Sequence, residues 1–374
     1  WSSVLGGLET ALGAILLVRV TIEAGLLGPA QRVGLGGLLA LALLAGGEWL
    51  RRRDRKIRLP ILPRADIPSM LTATGVVAAF ATVYAAYALY GFVGPGVALV
   101  LLTLVGLGSL ALSAVHGPGL AALGAVGSYA TPLLVSSQEP NLLALAAHVL
   151  VVTGSVAGTA ALRGWLWLAW CAVAGATGWT VLAALTTGSG SGYAGLAMMA
   201  GSALIWAGAF GQAQHGRAGA VHDDGPDWAA VTAFAILAAA FFAQASLNTT
   251  LPLPMAAIVV SSIVAASAVA WPALAPAGLA AAAIVVVALA ALDLRLDFEG
   301  GLYSFDDIRR GIAPLDASNF IRNAALGTIP AAALLGLGAW RSGAIAPATA
   351  GWLAWGSVAA SALGLVAAYL RVAP

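Results

Sequence analysis

Arg19, Glu23 and Arg32 stand in a segment that is otherwise almost wholly apolar, LLVRVTIEAGLLGPAQRVGLGGLLALALLAGGEWLRRR from Leu16 to Arg53. A carboxylate between two guanidinium groups can clamp helices together through charge-assisted hydrogen bonds, or form part of a path for a charged solute. Spacing decides which groups meet. If the chain turns at Gly28 and Pro29 between two antiparallel helices, residues equally far from the turn share a depth. At 1.5 Å per residue Glu23 and Arg32 then differ in depth by about 3 Å, and Arg19 lies one helical turn from Glu23 on the same face. The trio carries one net positive charge within about 10 Å of the expected surface, where long side chains reach water, so a structural clamp is the preferred reading and a transport site the alternative. The same geometry sets Glu9 opposite Glu48. Two carboxylates at one depth could share a proton or hold a cation. The preferred reading pairs Glu48 with the adjacent Arg51, Arg52 and Arg53.

The elements that must position these groups follow from composition. Of 374 residues 61% are hydrophobic and 9% charged, and the mean hydropathy is +0.95, whereas soluble domains carry roughly 25% charged residues. Apolar runs of about 20 residues, the length of a helix across a bilayer core, recur along the chain and imply an all-α, polytopic transmembrane bundle. Windows broken by Gly, Pro and charge place about thirteen helices. Their spans are 4–26, 30–50, 68–91, 94–115, 118–137, 141–161, 165–187, 192–212, 228–248, 253–271, 273–292, 316–340 and 345–371. The chain is read as one transmembrane domain over 1–374, part of a longer protein because it starts at Trp1 inside an apolar segment. The 46 glycines let helix backbones approach closely where lipid gives no hydrophobic drive for association. Helices at 68–137 and 228–292 share a layout, which an internal repeat or the Ala/Gly bias alone would produce.

Residues 51–66 hold Arg51, Arg52, Arg53, Arg55, Lys56, Arg58 and Arg64, seven of the chain's 17 basic residues. The positive-inside rule makes this loop cytoplasmic. Alternation then puts Arg163, Arg217, Arg341 and the first residue on the same side, and the polar loop 293–315 on the outer side. The three arginines of that outer loop conflict mildly with the rule. Arg51, Arg52, Arg53, Arg55, Lys56 and Arg58, interleaved with Trp49 and Ile57, are expected to meet anionic lipid headgroups. The net charge of +2 and the lack of a basic stripe give no ground for nucleic-acid binding. A lone Cys171 excludes an internal disulfide and a Cys-based metal centre. No P-loop, nucleophile elbow, HExxH or calcium ladder is present, so no cofactor, metal or catalytic residue is assigned, and an enzyme is the less favoured class.

Three further places carry polar chemistry. In GSYATPLLVSS, Pro132 frees a backbone carbonyl near Tyr129 and Thr131; a kinked helix satisfied by neighbouring hydroxyls is the plain reading and a broken-helix binding site the alternative. Trp165, Trp167 and Trp170 cluster at a helix entry as interface anchors, and Tyr84, Tyr87 and Tyr90 belong to an aromatic belt. On the outer side Asp307, Asp316, Asn319 and Arg322 are expected to form the functional face with the Glu23 and Arg32 turn, the loop's acid meeting the hairpin's arginines.

TIEAGLLGPAQRVGLGGLLALALLAGGEWLRRR resembles the signature hairpin of the bacterial membrane proteins grouped as domain of unknown function 2339. GSYATPLLVSS, Gly127 to Ser137, resembles the next motif of that family. The resemblance is specific over about residues 10–60 and compositional beyond about 190. It implies a multi-pass protein of the bacterial inner membrane, often longer than this chain, and brings no established activity. The favoured reading is a non-enzymatic envelope scaffold that associates with membrane lipids and with a membrane or periplasmic protein partner. A transporter or flippase is the alternative, which requires a water-filled, charged cavity near mid-membrane; an intramembrane glycosyl- or lipid-transferase ranks last.

Overall fold

The computed structural model describes residues 28–53, 67–135, 141–186, 192–217, 227–247, 253–278 and 281, with eight residues between 351 and 362. Among them every regular element is helical. Nine α-helices run in order as α1 Pro29–Arg53, α2 Ile67–Ala88, α3 Pro95–His116, α4 Pro118–Leu134, α5 Leu142–Arg163, α6 Leu166–Thr186, α7 Gly192–Arg217, α8 Trp228–Leu247 and α9 Leu253–Ala270. Their ends lie within a few residues of the apolar windows, because the same residues that interrupt hydropathy also stop helices. Pro29, Pro95 and Pro118 open α1, α3 and α4, where the missing N–H is one no intrahelical partner would take. Gly117 alone joins α3 to α4 at φ +96°, a conformation open to glycine and strained for other residues. Asn141 caps α5 by accepting from the Ala144 N–H at 3.0 Å, and Gly164 closes it in a left-handed turn.

Among the described residues, five segments are long and apolar enough to cross a membrane: Pro29–Arg53, Ile67–Ala88, Pro95–His116, Leu142–Arg163 and Leu166–Leu185. The protein is therefore a membrane-embedded helical protein. Helix α4, expected over 118–137, spans 17 residues, roughly 25 Å against a hydrocarbon core of about 30 Å. The window expected as an α-helix over 273–292 opens instead as a 3-10 turn, Pro272–Ala277. Proline explains the difference. Pro276 has no N–H to return to the carbonyl of Pro272, so the α pattern of hydrogen bonds cannot close there. A tighter bond from Leu274 N to Trp271 O, 2.9 Å, replaces the α pattern. The helices expected at 4–26 and 316–340 lie outside the described residues.

The chain divides into two compact units, Trp1–Gln138 and Glu139–Pro374. In the first, α1 packs on α2, α2 on α3 and α4, and α3 on α4. Gly36 faces Thr82, Gly75 faces Leu44 and Gly47 faces Thr72, so α1 and α2 run antiparallel with their backbones close together. In the second unit α5 packs on α6 and α7, α6 on α8, and α9 on α7 and the 3-10 turn. Its centre is filled by Phe234, Phe241, Met199, Val264 and Leu274, all fully buried.

Candidate functional site

The described part of the opening hairpin keeps charge at both ends of α1. Near its start, the Arg32 Nη1 donates to the Tyr90 hydroxyl at 3.5 Å. Tyr90 stacks on Phe92 with ring centroids 5.6 Å apart, across Gly91 at φ +61°. Sequence spacing had set Tyr90 in an aromatic belt; the contact joins residues 58 apart in sequence, and only the antiparallel register of α1 and α2 brings them together. Arg19 and Glu23, the expected partners of Arg32, lie outside the described residues.

At the other end Glu48 accepts from Arg51 Nε at 2.8 Å, from Arg51 Nη2 at 2.7 Å and from Arg52 Nε at 2.7 Å. The carboxylate is thus shared by two guanidinium groups one helical turn away. The third, Arg53, lies over the Trp49 ring at 4.2 Å. Together they form a basic helix end in which one guanidinium covers an indole. Glu9, the carboxylate expected opposite Glu48, and Arg55, Lys56 and Arg58 of the basic loop lie outside the described residues.

Helix α4 runs through Pro132 to Leu134. The Thr131 hydroxyl is fully buried and donates to the Gly127 carbonyl at 2.8 Å, which ties the turn preceding Pro132 to its own backbone. Tyr129 sits half-buried beside it. The segment is a continuous helix to Leu134, and Val135 closes it by returning its N–H to the Thr131 carbonyl. Asp307, Asp316, Asn319 and Arg322, the expected outer face, lie outside the described residues.

A recess that sequence spacing did not single out lies in the second unit. It has a volume of about 140 Å³ and is walled by Ala157, Ala160 and Ala161 of α5, Ala169, Ala172 and Val173 of α6, Trp206 and Ala209 of α7, and Ala229 of α8. Its mouth is formed by Gly164 and Trp165 of the α5–α6 turn, Leu166 at the start of α6, and Asp227. The lining runs from buried Ala157, Val173 and Trp206 to half-exposed Ala161, Ala169 and Ala209, so the recess is a furrow closed at its floor and open along one side. Seven residues separate Ala157 from Gly164, and seven separate Leu166 from Val173, a depth of about 10 Å. One charge lines the recess and a second lies against its Trp165. Asp227 Oδ1 caps α8, accepting from Ala229 N at 3.1 Å and Ala230 N at 3.2 Å. The exposed Arg163 guanidinium stands 5.2 Å from the Trp165 ring centroid, and Trp165 stacks in turn on Trp167 at 6.3 Å. The signal for this site was in the sequence: alternation sets the end of α5 and the start of α8 at the same end, where Arg163 and the Asp-Trp pair at 227–228 fall.

Elsewhere the described interior is uncharged. Its buried polar side chains are Ser, Thr, His116 and His148. Among the described residues no three His, Cys, Asp or Glu side chains gather closely enough to hold a metal ion. No curated protein and no solved structure matches the chain. The profile of a family described as "Predicted membrane protein (DUF2339)" matches residues 1–373. With apolar helices of membrane-crossing length and a match over nearly its whole length, the chain belongs to this family of predicted membrane proteins.

Proposed function

We propose that this protein is a non-enzymatic scaffold of the bacterial cytoplasmic membrane, packed against membrane lipids and presenting its polar ends to a membrane or periplasmic protein partner. The observation that carries the reading is the closely packed interior of the described helices, in which no Asp, Glu, Lys or Arg is buried. A carrier needs a polar cavity at mid-depth that can open to either side. The furrow beside Trp165 ends instead on Val173 and Trp206. In this reading the basic loop 51–66 is cytoplasmic, about thirteen helices cross the bilayer, and the first residue of the chain lies on the cytoplasmic side.

Proteoliposomes holding the purified full chain test it. The expected result is no protein-dependent movement of ions or of labelled phospholipid between leaflets, together with a stoichiometric protein partner after purification in mild detergent. Flux that depends on this chain alone overturns the scaffold. The outer face is tested separately: Arg32→Ala and Asp307→Ala together should cost less than the sum of the two single changes, and strict additivity removes the proposed contact.

A further inference from the structure

The furrow in the second unit joins an apolar slot to a carboxylate in its lining, Asp227, and the guanidinium of Arg163 lies against Trp165, another lining residue. Its volume of about 140 Å³ is close to that of an engineered apolar cavity of about 150 Å³ that holds benzene, enough for a short stretch of hydrocarbon. The side bordered by half-exposed Ala161, Ala169 and Ala209 leaves room for a longer chain to continue out of the furrow. Alanine supplies most of the wall, with Val173 and two indoles, a surface matched to methylene groups and not to a hydrated solute. At the mouth, Asp227 spends Oδ1 on the α8 cap, while Oδ2 takes no hydrogen bond from the described residues. Arg163 contacts Trp165 and forms no ion pair among the described residues. Asp227 in the lining and Arg163 beside Trp165 of that lining, held by separate structural tasks instead of by each other, can each receive the opposite charge of a ligand.

We propose that this furrow is a binding site for a zwitterionic aminophospholipid, with one acyl chain along the alanine wall, the phosphate at Arg163 and the primary ammonium at Asp227. Guanidinium and phosphate form charge-assisted hydrogen bonds. An ammonium with N–H donors can bond to the free Asp227 oxygen, which a trimethylammonium group cannot do. The indoles of Trp165 and Trp167 suit the headgroup level of a bilayer. The site rests on the membrane-embedded fold and not on the scaffold reading, and retention of lipid is measured apart from flux.

The test is native mass spectrometry of the full chain released from nanodiscs of equimolar phosphatidylethanolamine, phosphatidylcholine and phosphatidylglycerol. Phosphatidylethanolamine should be retained over both others. In Asp227→Asn the side-chain oxygen that caps α8 survives while the charge is lost. This variant should keep its melting temperature and lose the phosphatidylethanolamine preference by roughly tenfold, the effect of removing one charge-assisted hydrogen bond. Ala169→Phe, at a half-exposed wall position, should abolish retention of all three. Equal retention of phosphatidylglycerol and phosphatidylethanolamine by the unmodified chain overturns the proposal, as does an unchanged preference in Asp227→Asn.

Discussion

The helices of residues 28–135 meet backbone to backbone, whereas the helices around the furrow in 141–247 meet through side chains. A Cβ on Gly124 would stand 2.8 Å from the Gly106 carbonyl oxygen and 3.0 Å from the Leu110 amide nitrogen, and one on Gly47 would be 3.1 Å from the Pro68 carbonyl. In the second unit the tight glycine of α7, Gly201, faces the branched end of Leu150, and the centre is held by Phe234, Phe241, Met199 and Trp206. In a bilayer, moving an apolar side chain from lipid to protein gains little, so helices associate through packing. Close approach uses the helix surface itself and leaves no room. Bulky residues hold axes apart, and where alanine replaces them a furrow remains, as beside Trp165 and in the shallow groove of Ala174, Gly178 and Ala239 between α6 and α8. The lesson is that the two packing modes serve different ends: one fixes helices, the other leaves space for a ligand.

Paired glycine substitutions are the strongest way to break this comparison. Gly124→Ala forces a methyl group onto backbone atoms that cannot rotate away, and should lower stability by roughly 1–3 kcal/mol. Gly201→Ala meets only Leu150, whose side chain can change rotamer, while alanine gains up to about 1 kcal/mol of helix propensity. Its net effect should be near zero. Reversible unfolding of the full chain in mixed micelles reads both changes. Equal losses at the two sites would mean that the first unit is not distinguished by backbone contact.

A smaller effect of opposite sign sharpens the point within one helix. Gly106 of α3 faces Ser128 across the α3–α4 contact, whereas a Cβ on Gly108 meets nothing within 4 Å. Gly108→Ala should therefore raise stability by up to about 1 kcal/mol, and Gly106→Ala should lower it. If both changes stabilise, the α3–α4 contact is looser than the geometry requires.

The helices themselves were legible because each apolar run ends in a residue with its own reason to stop a helix: Gly94 before Pro95, Gly117 before Pro118, Asn141 before Leu142. The 3-10 turn at Pro272–Ala277 escaped a hydropathy window because proline is neutral to that measure and decisive for hydrogen bonding. Site residues were legible only where partners are near in sequence. Glu48 with Arg51 and Arg52 follows from helical spacing of three and four residues. Tyr90 with Arg32, and Asp227 with the α5–α6 turn, depend on which helices pack together. Many helix orders satisfy the same small, apolar surfaces, so pairwise packing was not written in local pattern.

The smallest expected effect concerns the Arg32 end of the first unit, where the comparison meets the opening charges of the sequence. At 3.5 Å the bond from Arg32 to Tyr90 is long, and a long hydrogen bond contributes at the low end of the usual range. Tyr90→Phe keeps the ring that stacks on Phe92 at 5.6 Å and removes only the hydroxyl. Arg32 is half-buried and so retains access to water for its donors. The change should cost no more than about 0.5 kcal/mol, whereas Tyr90→Ala also loses the aromatic contact and should cost roughly 1 kcal/mol more. Both are read by the same unfolding measurement. A loss above about 1.5 kcal/mol in Tyr90→Phe, the scale of a well-formed bond to a charged group, would make Tyr90 a principal anchor of Arg32. The expected clamp of Arg19, Glu23 and Arg32 would then have to share that guanidinium with α2. A loss near zero leaves Arg32 available to Glu23, and Glu23→Gln becomes the substitution that should move stability instead.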